Sequence, residues 1–247
     1  MDLEIKDPTL CSKIKTCPAV GCSKGVKVAT TYYQENHVGA TPDGQGGIMV
    51  VGLYPSYKEI EEQTNMVGKS GQLFRGMVSR AIQYHRFKHT LDDADQPAIF
   101  ITNVIRCRPE TSKKRELYAS AVQCSIHMAA EIEAFKPAVI IACGELAAMF
   151  FTGKIMIDST LIVARNAAQK FSTIRRQRGK YQKPPFTYHG IPVILTWNPA
   201  RVIREEDTGT RINLENQIYQ DLIEVIHVWK RRTAAAVPSV TGAPAII

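Results

Sequence analysis

Nowhere does this sequence approach the roughly 18 consecutive apolar residues of a membrane span. Its first residues, Met1-Asp2-Leu3-Glu4, have neither the basic nor the apolar region of a secretory signal. A cytoplasmic protein that does not enter membranes is expected. Acidic residues are in deficit, 23 against 31 Lys and Arg, giving a formal charge of +8 over 247 residues. That balance suits a polyanionic partner such as nucleic acid, although a basic surface alone also fits. There is no internal repeat. A P-loop is missing as well: Gly68-Lys69-Ser70 needs a glycine five positions before Gly68, and Gln63 stands there. What that segment offers is a glycine-bounded helix start whose N–H groups could hold a phosphate.

What is present is an alternation of two periods. Ile48–Gly52, Ala98–Thr102, Ala138–Ala142 and Pro192–Thr196 are short continuous apolar runs rich in β-branched residues, the pattern of strands buried on both faces. Between them, helical spacing runs from Gly71 through Ile82 with Ser70 placed to cap, from Leu117 to Phe135 before Lys136-Pro137, and from Glu145 to Phe151. A last stripe, Leu214, Ile218, Leu222, Val225 and Trp229, starts a helix near Asn213. Strands alternating with helices predict a three-layer α/β/α domain around a central four-stranded, mainly parallel sheet. We assign it to residues 48–232, with an N-terminal arm and loop over 1–47 and a flexible tail over 233–247.

In such sheets ligands bind beyond the carboxyl ends of the strands. That selects Gly52-Leu53-Tyr54-Pro55-Ser56, Asn103 to Pro109, Cys143-Gly144 and Trp197 to Arg201. Asn103 is the most informative of these, because an amide donates to a carbonyl and accepts from a ring N–H, as the edge of a pyrimidine requires. A loop amide closing a turn is the plainer alternative.

These segments, together with Val67-Gly68-Lys69-Ser70-Gly71-Gln72-Leu73 and Thr196-Trp197-Asn198-Pro199-Ala200, resemble the iron-sulfur uracil-DNA glycosylases over about Thr16 to Ile226. Thr102-Asn103-Val104 with Cys107-Arg108-Pro109 is the most specific part. The resemblance implies a single α/β/α domain that flips uracil or another deaminated base out of DNA and hydrolyses its N-glycosidic bond. It further implies a base pocket of Gly52, Leu53, Tyr54, Pro55, Met66 and Asn103, with Asn103 and Asn198 acting on the base. A [4Fe-4S] cluster on Cys17, Cys22, Cys107 and Cys124 is implied too. Six cysteines in a cytoplasmic chain are in any case more often metal ligands or core thiols than disulfides. A four-cysteine zinc site is the competing reading of the set, Cys11 competes as the first ligand, and Cys143 reads as a core thiol.

Three positions depart from the family pattern. Leu53 stands where an acid often follows the glycine, Met66 where an aromatic usually stacks on the base, and Asn198 where a histidine helps the departing base. Glu59, Glu61 and Glu62 could supply an acid, although loop charges are usually solvated. For DNA contact the candidates are Lys69 and Ser70 at the helix start, Arg201 as a wedge with Arg204 on a phosphate, and Arg175, Arg176 and Arg178 in a basic excursion. A monomer is expected, with DNA as partner and a replication or repair protein as a further one. The departures also leave open a glycosylase-like DNA-binding protein without turnover.

Overall fold

The computed structural model describes residues 31–33, 46–62, 65–92, 95–106, 108, 114–152, 156–158, 161–163 and 186–236. Cys11, Cys17, Cys22, Cys107, Pro109, Arg175, Arg176, Arg178 and residues 237–247 lie outside them.

The four apolar runs form the centre of the sheet, as β2 (Ile48–Gly52), β3 (Ile99–Asn103), β4 (Val139–Cys143) and β8 (Ile191–Thr196), all parallel in the order β3-β2-β4-β8. Two short antiparallel edge strands, β1 (Thr31–Tyr33) beside β3 and β7 (Phe186–Tyr188) beside β8, extend it to six. Neither edge was legible as a strand, because three residues carry no measurable period. The segment before Gly47 therefore contributes to the sheet. A separate hairpin joins β5 (Met156–Asp158) and β6 (Leu161–Val163).

Every residue of β2, β3 and β4 is buried, which is what their unbroken apolar character demands. Alternate residues serve opposite faces. Ile48 and Val50 join Val139 and Ile141 under α2 (Lys69–Phe87), α6 (Pro199–Arg204) and α7 (Thr208–Ala236). Met49 and Val51 join Ile140 and Ala142 under α3 (Lys114–Gln123), α4 (Ser125–Phe135) and α5 (Glu145–Phe151). These are the three expected layers. The remaining helix, α1 (Tyr57–Glu61), is a single turn closed by a capping box between Ser56 and Glu59.

Helix boundaries differ from the expectation in four places. The helix read as continuous from Leu117 to Phe135 starts at Lys114 and is interrupted at Cys124, which separates α3 from α4. Helix α2 begins at Lys69 behind Gly68, so Ser70 lies inside it and does not cap. Helix α7 begins five residues before Asn213, where the Asp207 carboxylate accepts from the Thr210 N–H (2.7 Å). It also runs through Thr233 to Ala236, with the Thr233 hydroxyl donating to the Trp229 carbonyl (3.1 Å). Among the described residues no helix is long and apolar enough to cross a membrane.

Candidate base-binding site

Parallel register brings the carboxyl ends of the four central strands into one row. Gly52 pairs with Asn103, and Cys143 pairs with Thr196. Two glycines at the carboxyl ends of the inner strands, Gly52 and Gly144, lie against the candidate amides. A Cβ on Gly52 would lie 2.4 Å from Asn103 Oδ1, and one on Gly144 would lie 3.0 Å from Asn198 Cβ. Each outer amide thus packs over the Cβ-free glycine of its inner neighbour. Gly144 is further restricted to glycine by φ +92°, a conformation that lets its N–H donate to the Thr196 carbonyl (2.8 Å). The outer strands are three spacings of about 4.8 Å apart, roughly 14 Å between backbones. The two amides thus stand at the same end of the sheet, each packed over a glycine.

Both amides have a fixed orientation. Asn65 Nδ2 donates to the Ile101 carbonyl (2.9 Å), so Asn65 Oδ1 faces Asn103 and accepts from its Nδ2 (3.2 Å). The relay starts at a backbone acceptor, which settles which way Asn103 points. Asn103 is 8% exposed, Asn65 2%. On the other side, Asn198 caps α6, its Oδ1 accepting from the Ala200 N–H (2.9 Å). Its Nδ2 is left as the group to donate.

The loops after β2 and β3 are tied together through backbone bonds: Val104 N–H to the Gly52 carbonyl and Ile105 N–H to the Leu53 carbonyl, both 3.0 Å. Leu53 and Tyr54 pack on the core layer that faces α3, α4 and α5, whereas Met66 packs on the layer facing α2 and α7. Pro55 is buried between them in sequence, and Trp197 touches both layers. Met66 sits at φ +56°, a conformation that costs a side-chain-bearing residue about 1 kcal/mol or more. Three neighbours hold it there. Glu59 Oε1 accepts from its N–H (2.5 Å), Arg75 Nε donates to its carbonyl (3.2 Å), and Gly71 comes so close that a Cβ would be 2.1 Å from that carbonyl oxygen.

The Glu59 carboxylate also accepts from the Ser56 N–H (2.6 Å), so its two oxygens bridge two backbone donors. Glu62 pairs with Lys58, and Glu61 is exposed.

Cys124 is 2% exposed and shares a core layer with Val104 and Ile105, which lead into Cys107. Arg106, which follows Ile105 in the same loop, forms a buried ion pair with Glu131 of α4. Burial raises the Glu131 carboxyl above its ordinary range, opposed by the Arg106 charge. The pair anchors the loop entering Cys107 to the helix that starts after Cys124. Burial raises the Cys143 thiol as well, as expected of a core thiol. Among the described residues no three His, Cys, Asp or Glu side chains gather as a metal site.

Of the DNA-contact candidates, Lys69 is exposed and Ser70 half-buried at the start of α2. The Arg201 guanidinium lies over the Trp197 ring, 4.5 Å from its centroid, and Trp197 Nε1 donates to Gln217 (2.8 Å). Arg204 is exposed, with Nε donating to the Ala200 carbonyl (3.1 Å). Sequence reasoning missed Asn65, Gly71 and Glu59 as the supports of the pocket. Only the capping-box spacing from Ser56 to Glu59 was there to be read.

The carboxyl ends of the parallel sheet thus present two oriented amides where such sheets bind ligands. The chain belongs to the uracil DNA glycosylase superfamily, whose model matches residues 38–223. By that membership it is an N-glycosyl hydrolase of the DNA glycosylase class. It is similar to the type-4 uracil-DNA glycosylase of Sulfurisphaera tokodaii, 29% identical over 65% of this chain and 66% of that protein. It also resembles those of Saccharolobus solfataricus (25% identical; 76% and 83%) and Pyrobaculum aerophilum (27%; 70% and 76%).

Proposed function

We propose that the protein removes uracil, or another deaminated base, from DNA and carries a [4Fe-4S] cluster. The observation that supports this most is the pair of oriented amides over Gly52 and Gly144. Asn103 donates to the base's exocyclic carbonyl and accepts from its ring N–H, and Asn198 Nδ2 donates to the oxygen beside the scissile bond. In the reaction the bond from the base nitrogen to C1′ breaks and its electron pair leaves with the base. Water adds its oxygen to C1′ and releases a proton. Leu53 offers no carboxylate, and Glu59 is committed to backbone donors. The rate then rests on fixed dipoles that stabilise the departing base anion, a term worth about 10²–10³-fold per donor. Gly52, Tyr54, Pro55 and Met66 enclose the ring. Lys69, Ser70 and Arg204 meet phosphates, and Arg201 fills the vacated stack.

Cys17, Cys22, Cys107 and Cys124 are the proposed cluster ligands, four thiolates being the usual set. The buried position of Cys124 beside the loop into Cys107 fits such a ligand. The cluster would supply a structural tie between the N-terminal arm and the core.

The test is base release from single- and double-stranded oligonucleotides carrying uracil, hypoxanthine or xanthine, on protein prepared anaerobically. Release of uracil by a brown protein with equal iron and sulfide is expected. A colourless or zinc-only preparation would remove the cluster. Tight DNA binding with no release of any base would overturn the proposal.

A further inference from the structure

Tyr57 is the first residue of α1 and is 75% exposed, an unusual position for a large aromatic ring. It is not loose. The Arg108 guanidinium lies over its ring, 3.9 Å from the centroid, and 5.6 Å from the centroid of Tyr54. Arg108 also donates from an Nη to the Pro55 carbonyl (3.5 Å). The loop after β2 and the loop after β3 are thereby joined by a cation set between two tyrosines. Gly52 and Asn103, which begin these loops, are partners in the sheet. The stack consequently joins the two loops that leave the neighbouring carboxyl ends of β2 and β3, and it carries a positive charge within an exposed aromatic surface.

We infer that the Tyr57–Arg108 stack is a second nucleotide subsite, on which an unpaired base flanking the flipped nucleotide stacks while Arg108 faces the phosphate between them. The inference rests on DNA being the substrate. Base–aromatic stacking is indifferent to sequence and contributes on the order of 5- to 100-fold in affinity per base. The cation fits the polyanion, and the ring is held in place before binding, so little side-chain freedom is lost on contact. A flanking base can reach this surface only if it is unstacked from its neighbours, so the subsite favours single-stranded or locally opened DNA over closed duplex.

Fluorescence anisotropy on single-stranded oligonucleotides tests this. Uracil is flanked by normal nucleotides, or by a tetrahydrofuran abasic residue on its 5′ or its 3′ side. The native protein should bind about 5-fold or more weakly when the base on one particular side is missing. In Tyr57→Ala that ratio should fall to about one, while Tyr57→Trp should keep it. Equal binding of all three oligonucleotides by the native protein, or an undiminished ratio in Tyr57→Ala, would overturn the subsite. Thymine in place of uracil separates the two readings. A flanking-base effect without uracil preference would spare the subsite and count against the glycosylase, whereas uracil release without a flanking-base effect would do the reverse.

Discussion

Asn103 and Asn198 present complementary halves of the same device, an amide whose direction is imposed by backbone. Asn198 is set by one N–H in the first turn of α6, whereas Asn103 is set at second hand, through Asn65 and the Ile101 carbonyl. That difference predicts graded losses. Asn103→Ala should lower single-turnover base release by about 10²-fold or more, since a donor aimed at developing charge is worth that much. DNA affinity should change far less. Asn65→Ala leaves Asn103 in place but free to turn, so a smaller loss, about 10-fold, is expected at similar affinity. Equal losses of binding and release in Asn103→Ala would reduce that residue to a structural role. Asn103 was legible in the sequence because it closes an apolar strand at the end where ligands bind. Asn65 was not, because its function depends on a contact across 38 positions that no local pattern records.

At the scale of elements, the sequence told the interior well and the ends poorly. The run Ala138–Ala142 read as a strand buried on both faces and the strand runs Val139–Cys143, whereas Thr208–Ile212 carries too little apolar signal to announce the start of α7. The packing of α2 on α7 contains a feature that follows from neither helix alone. His85 of α2 is buried, with Nε2 2.9 Å from the Ile223 carbonyl of α7 and Nδ1 2.7 Å from the Thr90 hydroxyl. A neutral ring donates from Nε2 and accepts at Nδ1 from the Thr90 hydroxyl, whose one proton has the His85 carbonyl (3.0 Å) as its other acceptor. Burial lowers its pKa below the ordinary 6.5; His227 adds to this, while the Ile223 hydrogen bond and Glu224 oppose it. A histidine with a depressed native pKa takes up its proton more readily in the unfolded chain. Its stabilising contribution is therefore full above about pH 6.5 and is lost as the pH falls toward the native value. The urea midpoint should accordingly drop between pH 7 and pH 5, and His85→Gln should show a shallower drop from a lower starting point. An identical pH profile in the variant would assign the titration elsewhere.

Across the whole molecule, the +8 charge asks for a location. Among the described residues, Lys69, Arg108, Arg201 and Arg204 lie in segments that follow the carboxyl ends of central strands. Part of the excess is thus already gathered where a DNA backbone would run. A further block, Arg175, Arg176 and Arg178, falls in the stretch before β7, which leads through β8 to Asn198 and Arg201. Counterion release makes the consequence measurable, because each phosphate contact on duplex DNA contributes about 0.9 to the slope of log K against log salt. Replacing Arg175, Arg176 and Arg178 by Gln should weaken binding to uracil-containing and ordinary duplexes alike. It should also flatten the slope by about 0.9 for each contact removed, while the ratio of affinities between the two duplexes stays constant. A slope unchanged in the triple variant would place the block away from DNA. The electrostatic footprint would then fall to the residues that follow the central strands, where Lys69→Gln and Arg204→Gln should each remove about 0.9 of slope.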